Sequence, residues 1–340
     1  MKVVAQRWNI RLDILQGFAR MFSRHDIQGA KAMIVRKMEI AICAALVLLV
    51  DFAIAAEARK VPMAVATFSQ SVLPMFVARE KGYFRAEDLD IELILMTAST
   101  ANMALMGGNV DFISSGPSAV GAIARGAPLK FVFVCFNRPM HWLYAKPEIK
   151  DVQGLKGKKI GVSAIGASSH FLVQEILKKH GLDPARDVTL LGVGTTSNRY
   201  AALKAGSIDA TNLTPPLNFR AQEEGLRELV AYVKQDYLVE PAGAIVVRDH
   251  LFQSDPQLLE KFVRGTLKGL LYIRQNRTGT IPLLAKLMKI QTDLAAKIYD
   301  LVLPGLTADG TLDPEFQKKV LGFVTRVQGV REPAAVEKVY

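Results

Sequence analysis

The stretch ALMGGNVDFISSGP, residues 104–117, recurs 98 residues later as ALKAGSIDATNLTP, residues 202–215. Both follow A-L-x-x-G-x-(V/I)-D-x-x-x-x-x-P without a gap. In each copy a helix ends at a glycine able to take a left-handed stop, Gly108 or Gly206, and an aspartate, Asp111 or Asp209, opens an apolar strand. The doubling predicts two similar α/β units. The aspartates look like a catalytic pair, but their place at strand beginnings makes them structural: each carboxylate can accept N–H groups at the tight helix-to-strand turn.

Working outward, the first unit reads VPMAVAT as a strand, LPMFVAREKGYF as a helix, IELILM as a strand, a helix near TANMALMGG, the strand VDFIS and the closing strand LKFVFVCF. The second opens at LKGKKIGVSAIG and continues SHFLVQEILKKHG, VTLLGV, NRYAALKAGS and IDATNLT in the same order. Alternation of short strands and helices implies parallel strands joined by right-handed crossovers, an α/β architecture. After ELVAYVKQDYLV and the strand GAIVV only helical patterns follow. The first is capped by Ser254 or Asp255, with Pro256 in its first turn and Leu258, Leu259, Phe262, Val263, Leu267 and Leu270 on one buried face. The predicted domains are residues 60–140 (first lobe), 141–240 (second lobe) and 241–330 (return to the first lobe with C-terminal helices). The strands WLYAK and GAIVV are expected to run near each other as the hinge.

The chain has 340 residues, half of them apolar, enough for a bilobal body. Its formal charge is +11. Residues 57–340 hold 35 Lys/Arg against 28 Asp/Glu, a mild +7 that excludes a nucleic-acid-binding stripe. Residues 1–56 read as an N-terminal extension and signal peptide: Arg36 and Lys37, an apolar run from Ile40 to Val50, then AIAAEA with cleavage near Ala55–Ala58. The run falls short of the ~20 apolar residues of a spanning helix, and Asp51 interrupts it. A start at Met33 would make this an ordinary signal, leaving residues 1–32 a mis-assigned start. Cys43 lies inside the signal, so Cys135 stands alone in the mature chain, a small buried hydrophobe in FVFVCF.

LPMFVAREKGYFRAEDLDIEL, ALMGGNVDF, GLKGKKIGV and ALKAGSIDA with Pro215 behind it, in this order and spacing, resemble the nitrate/sulfonate/taurine-type substrate-binding proteins of ABC importers, from about Val61 to about Gly329. The resemblance implies a periplasmic binding protein of type II, two α/β lobes joined by a two-crossover hinge. It implies no catalysis and no cofactor, a monomer that delivers a small-molecule ligand to an ABC permease and ATPase complex in the inner membrane, and no nucleic-acid partner. The same superfamily includes thiamine-pyrimidine-synthase enzymes, with a lysine Schiff base to pyridoxal phosphate, and ligand-sensing domains.

Ligands of open α/β sheets collect outside the carboxyl ends of strands, where helix N-termini offer N–H groups to an anion. The first lobe places Thr67, Phe68, Ser69, Gln70 and Ser71 there, as cleft contacts or, for the two serines, as plain caps. Thr97, Ser99 and Thr100 follow the next strand, with Thr100 as cap and contact, and Ser114 and Ser115 follow the third. The second lobe adds Gly166, Ser168, Ser169 and His170, then Thr195, Thr196, Ser197 and Asn198, then Asn212 and Thr214. Arg199 could pair an acid group but reads better as a solvated surface charge. Near the crossover, Asn137 joins Phe136, Arg138, Met140, His141 and Trp142, whose aromatic members serve equally as wall or hinge core. The five histidines lack metal spacing, and nucleotide or hydrolase motifs are absent. Taurine, an alkanesulfonate, nitrate, an aromatic acid or a neutral heterocycle all suit this set. For the start site, peptide mass spectrometry of producing cells is expected to recover tryptic peptides from residues 59 onward and none from residues 1–32.

Overall fold

The computed structural model describes residues 57–65, 68–165, 167–235 and 241–328. The expected signal and start site, with Cys43, Thr67 and Gly166, lie outside the described residues. The described residues from Ala58 onward form one compact unit.

Among the described residues ten strands form two sheets. The first contains β1 (Arg59–Val65), β2 (Leu89–Leu95), β3 (Phe112–Ser114), β4 (Leu129–Phe136) and β10 (Ala242–Arg248), in the order β2-β1-β3-β10-β4. The second contains β5 (Trp142–Ala145), β6 (Lys159–Val162), β7 (Thr189–Gly192), β8 (Ala210–Leu213) and β9 (Arg227–Ala231), in the order β7-β6-β8-β5-β9. The two orders are the same once β5 is matched to β10. In each sheet one strand delivered by a crossover inserts antiparallel between neighbours that otherwise run one way. Each sheet is therefore mixed rather than wholly parallel. The expected hinge of WLYAK beside GAIVV is also corrected. β5 and β10 are interior strands of different sheets, each between two neighbours, and four successive buried residues in each, Trp142–Ala145 and Ala244–Val247, show that both faces are covered.

The doubled phrase is what seats these inserted strands. Helix α2 (Ala98–Met106) stops at Gly108 and α5 (Thr196–Lys204) at Gly206, both left-handed with φ of 78° and 74°. The chain then turns into β3 and β8. Asp111 N–H donates to the Pro62 carbonyl of β1 (3.0 Å), and Asp209 N–H to the Lys159 carbonyl of β6 (2.7 Å). Antiparallel register extends the pairs Ile245↔Ser114 and Ala145↔Ala210 to Arg248 opposite Asp111 and Lys146 opposite Asp209. Lys146 Nζ reaches Asp209 Oδ1 at 2.7 Å and the Gly206 carbonyl at 3.4 Å. Arg248 stands 3.8 Å from Asp111 Oδ1 and donates to the carbonyls of Leu105 (2.5 Å) and Val110 (3.3 Å). A cation at the end of each inserted strand thus answers an aspartate and the negative end of a helix.

The remaining helices cover the sheets. They are α1 (Leu73–Glu80), α3 (Pro117–Ala124), α4 (Ser168–Lys179), α6 (Leu217–Glu223), α7 (Leu251–Ser254), α8 (Pro256–Gln275), α9 (Arg277–Met288), α10 (Thr292–Val302) and α11 (Pro314–Gln328). Asp255 is the cap of α8, accepting Leu258 N–H at 3.0 Å. Leu258, Leu259, Phe262 and Leu270 are buried as predicted, whereas Val263 and Leu267 are half-buried. The centre of the face is Gly265, Thr266 and Gly269 instead. A Cβ on Gly269 would overlap the Pro74 carbonyl, so glycine here sets how closely α8 lies on α1. Among the described residues no helix is long and apolar enough to cross a membrane.

Burial alone would raise the Asp209 carboxyl, but the hydrogen bonds from Lys146 and from Lys159 N–H outweigh it and hold the group below its ordinary 3.8. A depressed folded pKa stabilises fully above the unfolded value, and that stabilisation is lost as pH falls below about 4. Asp209→Asn should lose about 1–3 kcal/mol in urea unfolding at pH 7, and its deficit against the parent should shrink below pH 4.

Candidate functional site

Strand polarity defines the site. In the first sheet, Val65 pairs with Leu95 and with Ser114, and Phe136 pairs with Ala242, so one edge carries the ends of β1 to β4 and the start of β10. In the second, Val162 pairs with Gly192, and Trp142 with both Leu213 and Ala231, so one edge carries the ends of β6 to β9 and the start of β5. The chain runs from the first edge to the second through residues 137–141 and returns between Ala231 and Ala242. Arg138 Nη1 donates to the Val233 carbonyl (3.1 Å) and Tyr232 N–H to the His141 carbonyl (3.0 Å), which ties the two crossovers together. The two edges that sequence reasoning singled out therefore meet across this double crossover. Phe171, in the first turn of α4, is buried in the same apolar cluster as Ala101, Leu105 and Ile113 of the first lobe.

Many of the expected contacts prove to be spent inside the protein. Ser69 Oγ accepts Ser71 N–H (3.4 Å) and lies 2.9 Å from Ser71 Oγ, capping the single turn Gln70–Val72. Thr97, not Thr100, caps α2: its Oγ1 accepts Thr100 N–H at 3.3 Å and leaves Thr100 exposed. Thr195 caps α5 by accepting Asn198 N–H at 3.2 Å, with Asn198 exposed. Ser169 Oγ accepts Ser163 N–H (2.8 Å) and pairs with Ser163 Oγ (2.7 Å). Asn212, expected to touch ligand, is fully buried; its Nδ2 donates to the Ser169 carbonyl (2.8 Å) and its Oδ1 accepts from Tyr232 OH (2.6 Å). Both ends of that amide hold α4, β8 and the returning crossover together, so Asn212 supports the wall rather than forming it.

Arg199 is the other correction. It is 3% exposed, not solvated, and donates to the carbonyls of Asn212 (3.2 Å) and Gly194 (2.5 Å) and to Thr196 Oγ1 (3.1 Å). Burial lowers its pKa to about 10, which leaves it charged at neutral pH. The same burial, with Arg199 nearby, pushes His141 down to about 3, and desolvation lowers His170. Phe136, Met140 and Trp142 are buried. Cys135 is buried 3.8 Å from the Met75 sulfur, and desolvation raises its thiol. Among the described residues no group of three or more His, Cys, Asp and Glu could hold a metal ion.

Other expected residues are less deeply buried. Phe68 is 42% exposed, while Ser114, Ser115, Thr214, Ser168 and His170 are half-buried. Helices α3 and α4 begin without a side-chain cap, and both start at the site. Buried carboxamide oxygens of Gln70, Asn102, Asn137 and Asn218 have no hydrogen-bond partner among the described residues. Gln70 is 2% and Asn218 3% exposed. Asn218 and the exposed Ile165 escaped the sequence reading. Asn218 follows the Pro215–Pro216 pair by two residues, and a polar residue at a helix start beyond a strand end was the available signal. Replacing Asn212 with Ala would strand Tyr232 OH and the Ser169 carbonyl in the core. It is expected to cost about 2–4 kcal/mol in denaturant unfolding, a loss that Thr214→Ala should not reproduce.

The family model described as NMT1/THI5 like matches residues 69–278. The riboflavin-binding protein RibY of Chloroflexus aurantiacus is 28% identical over 209 residues, 58% of this chain and 57% of that protein. The 4-amino-5-hydroxymethyl-2-methylpyrimidine phosphate synthase THI13 of Saccharomyces cerevisiae is 34% identical over 143 residues, 41% of each chain. The chain thus spans about half the length of the curated relatives it matches. Among solved structures, the alkanesulfonate-binding protein SsuA from Xanthomonas axonopodis pv. citri, bound to MOPS, superposes with a TM-score of 0.67 at 21% identity, covering 84% of this chain and 99% of that one. The fold is that of the type II periplasmic binding proteins, as the sequence resemblance implied.

Proposed function

The chain belongs to the NMT1/THI5-like family, and from that premise we propose that it is the solute-binding component of an ABC importer. Two lobes close on a small organic ligand in the periplasm, and the loaded monomer delivers it to an inner-membrane permease. The observation that carries this reading is the pair of sheet edges facing each other across only two crossovers. A ligand touching both edges favours the closed arrangement by its differential affinity for that state, with no bond made or broken. The contact of Phe171 with the first lobe's apolar cluster supports the same motion, since it is a cross-lobe contact that opening would separate.

Sulfonate, taurine, nitrate and aromatic-acid ligands draw support from the uncapped starts of α3 and α4, where N–H groups and the helix dipole favour negative charge. A second reading, an enzyme like the yeast synthase, draws on 34% identity over 143 residues.

Small-angle scattering with and without ligand tests the leading reading. Taurine, MOPS, nitrate, benzoate and riboflavin form the first panel, and a bound member is expected to compact the chain. Phe171→Ala should expand the ligand-free protein and weaken binding. An absorbance band from a lysine-bound pyridoxal phosphate in the purified protein, with no compaction by any ligand, would transfer the case to the enzyme.

A further inference from the structure

The other edge of the second sheet, with the starts of β6 to β9 and the end of β5, carries lysines that take no part in the cleft. Hydrogen bonds gather two segments there, residues 146–159 and 178–187. Gln153 Nε2 donates to the His180 carbonyl, Gly157 N–H to the Asp187 carbonyl (2.6 Å) and Thr189 N–H to the Lys158 carbonyl (2.9 Å). Lys156 Nζ stands 3.4 Å from Asp187 Oδ1. Together the two segments hold eight Lys/Arg against four Asp/Glu, a net +4 where residues 57–340 carry +7 in all.

Three of those four carboxylates are turned onto the backbone. Asp151 accepts Gly154 N–H (2.9 Å), Asp183 accepts Ala185 N–H (2.8 Å), and Asp187 accepts Asp183 N–H (2.8 Å). Lys150, Lys158 and Lys159 form no salt bridge among the described residues; the first and last are exposed and Lys158 is half-buried. The matching end of the first lobe is neutralised instead. There Arg59 stands 2.5 Å from Asp255, Arg85 3.6 Å from Asp90, Arg248 3.8 Å from Asp111 and Lys130 3.8 Å from Asp249. The same edge, built twice, is left positive in one lobe alone.

The chemistry of this face selects its partner. A stable protein interface has an apolar centre from which lysine is depleted. Among the described residues no large exposed apolar side chain lies in either segment. A lysine is a compact charge on a flexible stem and asks for no fixed fork of acceptors. Lysines without an apolar centre suit a plane of negative charge whose groups move to meet them.

We propose that this end of the second lobe binds anionic phospholipid headgroups, with Lys150, Lys158 and Lys159 as the contacts. The attachment is electrostatic, and no side chain inserts into the bilayer. In the solute-capture reading it keeps the chain at the membrane that holds the permease. The two ideas fail separately, since lipid binding is read without solute and compaction without lipid.

Co-sedimentation with vesicles of phosphatidylcholine, alone or with about one-third phosphatidylglycerol, tests the face. The chain is expected to bind the anionic vesicles at least about tenfold more strongly at low salt, and to lose that excess in about 0.5 M salt. Any adhesion by the apolar run from Ile40 to Val50 is common to both vesicles, so the excess is the quantity read. Lys150→Glu combined with Lys159→Glu should lower it at least about tenfold. Lys150→Gln with Lys159→Gln is the milder pair, with the same expected direction, and circular dichroism checks that each variant folds. Lys297→Glu with Lys318→Glu makes the same change of net charge on α10 and α11 and should leave most of the excess. Equal losses from the two Glu pairs overturn the face in favour of net charge. Equal binding to both vesicles, or binding to polyglutamate and to neither vesicle, overturns the lipid assignment.

Discussion

The fold depends on one interaction made twice: a basic residue at the end of an inserted strand against an aspartate that opens its neighbour. Lys146 meets Asp209 in one lobe and Arg248 faces Asp111 in the other. Each cation also satisfies carbonyls at the end of the preceding helix, which a left-handed glycine has just stopped. Antiparallel register fixes this geometry, for a shift of one residue would carry Lys146 and Arg248 off the aspartates they face. Here each inserted strand is supplied by a chain that has crossed from the other lobe. The lock therefore entails the two crossovers, and the crossovers bring the two strand-end edges together.

At those edges the polar groups divide by what they already hold. Ser69, Thr97, Ser169 and Thr195 are engaged in capping or bracing the backbone around them. Asn212, Tyr232 and Arg199 form a buried network joining β8, α4, α5 and the returning crossover. Such a network, fully paired, stiffens the second wall and leaves recognition to groups with hydrogen-bonding capacity to spare. Among the described residues the buried carboxamide oxygens of Gln70, Asn102, Asn137 and Asn218 keep such capacity.

The architecture was legible because its signals are local and repeated. Glycine stops, aspartates at strand starts, Asp255 and Pro256 at the head of α8, and alternation of short strands with helices each act within a few residues. The strand-end loops were legible as the candidate site for the same reason, since chain order alone says where strands finish. Less legible was which strand inserts where. WLYA and AIVV read as neighbours at a hinge, and nothing within either four-residue run says that each needs two partners in a different sheet.

By itself, then, the sequence determined the doubled unit, the helix stops and caps, and the edge on which a ligand would be met, all consequences of backbone preference and side-chain period. Only the tertiary structure decided which polar side chains are left over. Arg199 looks like a surface charge until the Asn212 and Gly194 carbonyls and the Thr196 hydroxyl converge on it, and Asn212 looks like a ligand contact until Ser169 and Tyr232 take both ends of its amide. A hydrogen bond is settled by what stands opposite in space, and residues far apart in the chain supply that partner.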